Sequence, residues 1–134
     1  MLQKFEKHIE ENLSFLKDKK LLIAVSGGID SVVLTHLLSG LSFDISLAHC
    51  NFKLRDKESD LDESFVEKLA SDLSINYFST SFNTETYAKK NKLSTQMAAR
   101  GLRYSWFEKI LIENNFDYVL TAHHKDDILE TFLI

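Results

Sequence analysis

Proline is absent from the 134 residues, glycine occurs only four times, and cysteine once. Average usage of about 7% would give roughly nine glycines. A lone cysteine excludes a disulfide scaffold within the chain and points to a reducing, cytoplasmic setting. No apolar run approaches the roughly 20 residues of a membrane span, and the start, Met1-Leu2-Gln3-Lys4, lacks a secretory apolar region. What is present is 44% hydrophobic and 27% charged, the composition of one packed domain rather than of a disordered or repetitive chain. A domain this long can bury roughly 70% of the surface its unfolded chain exposes.

The formal net charge of −4 argues against attachment to nucleic acid through bulk charge. The charge is nevertheless uneven. From Asp56 to Asp72 seven acids face Lys57 and Lys68, which reads as a solvated helix face. From Ser81 to Lys109, Lys89, Lys90, Lys92, Arg100, Arg103 and Lys109 outnumber Glu85 and Glu108, and here a local phosphate-facing patch is the alternative to a solvated face.

Leu2, Phe5, Ile9, Leu13 and Leu16 recur at helical spacing, so residues 1–20 read as an N-terminal amphipathic helix and its polar turn. Strands are expected over 21–25, 44–49, 75–80 and 117–122. Helices are expected over 32–38, ended by Gly40, over 60–73 with Leu61, Phe65, Val66 and Leu69 on its apolar spacing, over 94–114 behind Ser94 as N-cap, and from Asp126 onward. Residues 80–93 carry the least pattern and read as a mobile loop. Alternating strands and helices mean an α/β fold with a mainly parallel sheet and helices on both faces. The apolar face of Ile128, Leu129, Phe132, Leu133 and Ile134 ends without a capping signal, so residues 21–134 read as part of a longer protein.

Two of the scarce glycines are adjacent. Strand, then Ser26-Gly27-Gly28-Ile29-Asp30-Ser31, then helix is an arrangement that cradles phosphate: glycine permits close backbone approach, and the helix start offers unpaired N–H groups and a positive dipole end. It is neither G-K-[ST]-terminated nor G-x-G-x-x-G, and these six residues alone are equally a tight turn with Asp30 as cap. Chemistry-bearing residues recur at other strand ends, with His49 after the second strand and Thr121-Ala122-His123-His124-Lys125-Asp126-Asp127 after the fourth. If the strand order is 3-2-1-4, Asp30 and Asp127 converge, and two carboxylates beside a triphosphate suit Mg²⁺. His123-His124 lacks the spacing of a zinc pair on a helix. In the long helix Gln96, Arg100, Arg103 and Phe107 fall near one face, and Gly101 in its interior hints at close approach by another group. Met97, Leu102 and Trp106 are expected in the core, and Cys50 as a structural thiol.

Together these residues resemble the PP-loop (N-type) ATP pyrophosphatases, whose signature is S-G-G-x-D-S. More narrowly they are similar to the N-terminal domain of the tRNA(Ile)-lysidine synthetase family. The match is carried by Ser26 to Ser31, by His49 to Arg55 with Glu58, Ser59 and Asp62, by Ala99 to Tyr104, and by Thr121 to Asp127 with Glu130 and Thr131. Phe52 stands where the family's second block usually has a histidine.

The resemblance implies a Rossmann-like, adenine nucleotide alpha hydrolase-like fold. It implies ATP held by Ser26, Gly27, Gly28, Ile29, Asp30 and Ser31, with the adenosine near Ala48 and His49. Mg²⁺ would lie on Asp30 and Asp127, and Arg100 and Arg103 would steady phosphate or RNA; these four residues are the expected catalytic set. The implied reaction joins free L-lysine to C2 of the wobble cytidine of a tRNA(Ile) with a CAU anticodon, through an adenylated cytidine, and makes lysidine. A homodimer stays open, as does an inert isolated fragment. Two other readings remain: a tRNA thiolase of the same superfamily, and a nucleotide-binding module without catalysis.

Overall fold

A computed structural model describes residues 7, 11, 14–25, 29–54, 57–122 and 129–132 of the chain. Most of the expected N-terminal helix, the Ser26-Gly27-Gly28 turn and His123 to Ile128 lie outside the described residues. Lys7 and Glu11 have helical backbone and form an i,i+4 pair at 3.9 Å, and Ser14–Leu16 is a 3₁₀ turn. Among the described residues no helix is long and apolar enough to cross a membrane.

Five strands follow: β1 (Lys20–Ala24), β2 (Asp44–Asn51), β3 (Asn76–Ser81), β4 (Tyr118–Ala122) and β5 (Leu129–Phe132). Four helices separate the first four: α1 (Ile29–Gly40), α2 (Lys57–Asp72), α3 (Thr84–Lys90) and α4 (Thr95–Asn114). The sheet order is β3-β2-β1-β4-β5, with β1 parallel to β2 and β4, and β2 parallel to β3. Strand order thus reverses between β1 and β4, the place where open α/β sheets bind ligands.

Both sheet faces are covered, and β1 is apolar from Leu21 to Ala24, as a strand between two layers of helices must be. Leu21, Ile23, Leu47 and Leu120 pack with Leu34 and Leu38 of α1 and Val66, Leu69 and Ala70 of α2. Leu22, Ala48 and Val119 point the other way, onto Phe107, Ile110 and Leu111 of α4. Lys20 locks the lower end of this second layer. Its Nζ is 2.6 Å from the Asn114 carbonyl at the negative end of α4 and 4.6 Å from the Phe116 ring centroid.

Several expectations are corrected. Gly40 does not end α1 in a left-handed conformation; Ser42 does, at φ 62°, with Phe43 N–H donating to Leu38 O and Ser42 N–H to Ser39 O. The same termination recurs at Ser74, Lys92 and Asn115, so a chain short of glycine closes all four helices on residues that carry a Cβ. Residues 80–93 are not a loop: β3 runs to Ser81, and α3 forms behind Asn83, whose side chain accepts from Thr86 N–H. The expected helix from Asp126 is replaced at 129–132 by β5, antiparallel to β4 with Ala122 opposite Leu129. Pairing there satisfies the open edge of β4, and Leu-Glu-Thr-Phe also fits a two-residue period. Leu61 and Phe65 stay 67% and 49% exposed, because the buried stripe of α2 is Val66, Leu69 and Ala70. Met97 is 62% exposed in the first turn of α4, where Ala98 takes the inward position.

Candidate functional site

The C-terminal ends of β1 and β4 lie within a residue of each other, since Ala24 registers with Thr121, while β2 runs on from Ala48, the other partner of Ala24, to Asn51. The chain segments that follow β1 and β4, and that carry the S-G-G-x-D-S and H-H-K-D-D runs, therefore depart from neighbouring points. Ser26, Gly27, Gly28 and Asp127 lie outside the described residues. Ile29 and Asp30 form the first turn of α1, whose leading N–H groups have no partner within the helix. Ser31 is buried, and its carbonyl accepts from the hydroxyl of Thr35, itself fully buried.

Two contacts fix the last residue before the glycine pair. Val25 N–H donates to Ala48 O at 2.9 Å, continuing the ladder one step beyond β1. From the next residue of β2, Nδ1 of buried His49 is 2.7 Å from Val25 O. A carbonyl can only accept, so Nδ1 bears the hydrogen. Ala48 itself is buried against the α4 layer.

His49, Cys50, Asn51, Phe52 and Leu54, at and just past the end of β2, line a cavity of about 240 Å³ together with Ser59 and Asp62 of α2. Asn51, 1% exposed, organises that turn. Its Oδ1 accepts from Lys53 N–H at 3.0 Å, and its Nδ2 donates to Asp60 Oδ1 at 2.9 Å and Glu63 Oε2 at 3.3 Å. The bond lets Lys53 sit at φ 56°, from where its ammonium reaches Asp60 at 2.8 Å. The hydrogen bond from Lys53, and after it that from Asn51, hold the Asp60 carboxyl below the usual carboxylate range; the bond to Asp60 likewise raises Lys53. Two of the acids expected on a plain solvated face therefore hold the β2–α2 turn.

Phe52, in the position of the family histidine, stacks on Phe82 with centroids 5.8 Å apart and planes at 24°. It brings an apolar ring to the cavity where an imidazole would bring a proton carrier. Thr84, 1% exposed, donates from Oγ1 to Phe52 O at 2.8 Å, and Phe82 N–H donates to Asn51 O at 2.9 Å. The lip of the cavity is thus tied to the start of α3. Sequence reasoning missed this link because it read 80–93 as unstructured. The available signal was Asn83, a good N-cap placed directly before Thr84.

Ser94 caps α4 as expected, accepting from Met97 N–H at 3.1 Å. Arg100 and Arg103 both lie over the Tyr104 ring, at 5.0 and 5.5 Å from its centroid. Among the described residues neither has a carboxylate partner. Gln96 is exposed and Phe107 buried on the same helix. Gly101 meets nothing: a Cβ there would have no atom within 4 Å, so the expected close approach is not seen among the described residues. Arg103 is near enough to Cys50 to favour its thiolate, but burial outweighs this and pushes the thiol up to about 12. Cys50 is a packing residue.

The comparisons with known proteins agree with this arrangement. The chain is 47% identical over 131 residues to a tRNA(Ile)-lysidine synthase of Bacteroides thetaiotaomicron, an alignment covering 98% of this chain and 31% of the relative. It is 42% identical to the enzyme of that name from Petrotoga mobilis, covering 99% of this chain and 45% of the relative. The chain thus spans under half the length of these curated relatives. In fold it is similar to the NH3-dependent NAD synthetase of Campylobacter jejuni (TM-score 0.66, 18% identity, 88% of this chain and 53% of that one). It is equally similar to the NMN synthetase of Francisella tularensis (TM-score 0.67, 17% identity, 88% and 51%). The family model described as the PP-loop domain matches residues 1–134, and with its strand order reversing where the S-G-G-x-D-S run leaves the sheet, the chain belongs to the PP-loop family.

Proposed function

We propose that this chain is the nucleotide-binding and catalytic part of an enzyme that makes lysidine, ligating L-lysine to C2 of the wobble cytidine in a tRNA(Ile) with a CAU anticodon. The observation that carries this reading is the 47% identity to a tRNA(Ile)-lysidine synthase over 98% of the chain. Carried residue by residue, ATP lies with its phosphates along Ser26 to Ser31 and its adenosine beside Ala48 and His49. The described part fits such a ligand: Val25 is held by β2 through both its N–H and its carbonyl, and α1 opens immediately after the glycine pair with free N–H groups.

The cytidine O2 attacks the α-phosphorus as the bond to pyrophosphate breaks, giving an O2-adenylated base. The ε-amine of lysine then attacks C2, losing a proton, and AMP leaves with the former O2. Both steps ask for positioning and charge neutralisation, with no nucleophilic side chain. Asp30 and Asp127 offer the hard oxygen donors that Mg²⁺ takes; bound there, the ion would neutralise triphosphate charge. Arg100 and Arg103, stacked on Tyr104 and without carboxylate partners among the described residues, are free to meet phosphate. A thiolase reading would ask for a reactive thiolate, and the raised Cys50 thiol speaks against that residue in such a role. The test is pyrophosphate release by the intact protein: it should require the tRNA and fall to background in Asp30→Ala.

A further inference from the structure

The hairpin of α3 and α4 concentrates positive charge at the edge of the sheet where the strand ends lie. β3 ends there at Ser81, and Phe82 N–H and the Thr84 hydroxyl fasten the start of α3 to Asn51 and Phe52 at the cavity lip. α3 closes on Lys89 and Lys90, Lys92 follows at φ 54°, and Ser94 opens α4 on its way back down the sheet. All three lysines are exposed, and among the described residues none pairs with an acid, whereas Lys53 pairs with Asp60. Lys89 and Lys90 complement the negative end of α3, but Lys92 lies beyond it in a left-handed conformation that glycine or asparagine would adopt more readily. Two turns into α4 come Arg100 and Arg103 on the Tyr104 ring.

We infer that this hairpin is the surface that grips the single-stranded RNA of that substrate, with Lys89, Lys90 and Lys92 on successive phosphates and Arg100 and Arg103 on the phosphates that follow. The inference rests on the proposed RNA substrate and adds where the chain holds it. Unpaired like charges repel one another and are offset by an anionic partner. Guanidinium groups held over an aromatic ring keep N–H donors that match phosphate oxygens. With a formal net charge of −4, the chain must make such contacts locally.

The test compares the intact protein, the variant K89E/K90E/K92E, and the charge-matched control K17E/K19E/K68E, whose lysines are also exposed but lie off the hairpin. Binding of a fluorescent anticodon stem-loop RNA with a CAU loop is measured by anisotropy across salt concentrations, with ATP binding measured in parallel. The hairpin variant should lose about tenfold or more in RNA affinity near 0.1 M salt, and its slope of log affinity against log salt should flatten by about 2. The control should retain affinity, and ATP binding should be unchanged in both. Unaltered RNA binding in the hairpin variant, or equal loss in both variants, overturns the surface while leaving the lysidine reading in place. An unsubstituted protein that binds no RNA overturns both.

Discussion

Nδ1 of His49 lies 2.7 Å from the carbonyl oxygen of Val25, so a side chain at the end of β2 holds the backbone one residue ahead of the glycine pair. The bond is buried. His49→Phe leaves that carbonyl without a partner at a cost of about 1–3 kcal/mol, read as a lower midpoint in urea. It should also weaken ATP binding, because the start of the phosphate loop is no longer fixed. His49→Gln, which can still donate, should recover part of both; equal loss in Gln and Phe would mean that ring packing, not the hydrogen bond, is what matters.

Much of the fold was legible because its signals were local. Leu21 to Val25 suited a strand covered on both faces, and Ser94 marked the start of α4 to the residue. The order 3-2-1-4, which was the condition for Asp30 and Asp127 to converge, is the order found, with β5 added outside β4. What escaped depended on tertiary partners. Phe82 and Thr84 gain their roles from Asn51 and Phe52, and the Thr84–Phe52 bond spans 32 residues of sequence. Leu61 and Phe65 share a helical spacing with buried residues but sit on the other side of the stripe. In the site, the motif positions could be read from sequence, whereas Asn51 as the organiser of the β2–α2 turn needed the distances to Asp60 and Glu63.

Asn51→Ala removes three hydrogen bonds from a buried side chain and should destabilise the protein by about 1–3 kcal/mol. Asp60 makes the same network pH-dependent. Its folded-state pKa is depressed, so its contribution is present above the unfolded value of about 3.9 and is lost as pH falls through the lower folded value. Urea midpoints of the unsubstituted protein and Asp60→Asn should differ at neutral pH and converge in acid below about pH 4.

The placement of glycine gives two substitutions of opposite chemistry and the same sign. Gly101 is helical with open space around its missing Cβ, so Gly101→Ala should stabilise by about 0.5–1 kcal/mol. Ser74 carries a Cβ at φ 55°, so Ser74→Gly should gain up to about 1 kcal/mol. Thermal melts check both. A destabilised Gly101→Ala would reveal a close approach at that position.

Cys50 should resist modification. With its thiol pushed up to about 12, alkylation by iodoacetamide at pH 8 should be slower in the folded protein than in urea by about 100-fold or more. The raised value also sets a direction on the alkaline side. The group's stabilising contribution is complete below the unfolded value of about 8.5 and is lost as pH rises toward the folded one. Cys50→Ala should flatten that decline.

The most direct measurement of the central claim supplies the intact protein with ATP, radiolabelled lysine and a tRNA(Ile) bearing a CAU anticodon, and then analyses the wobble nucleoside. The account predicts label in that one nucleoside as lysidine, dependent on ATP and abolished by Asp30→Ala. Pyrophosphate release without lysine in the tRNA, or no reaction with this tRNA at all, would contradict it.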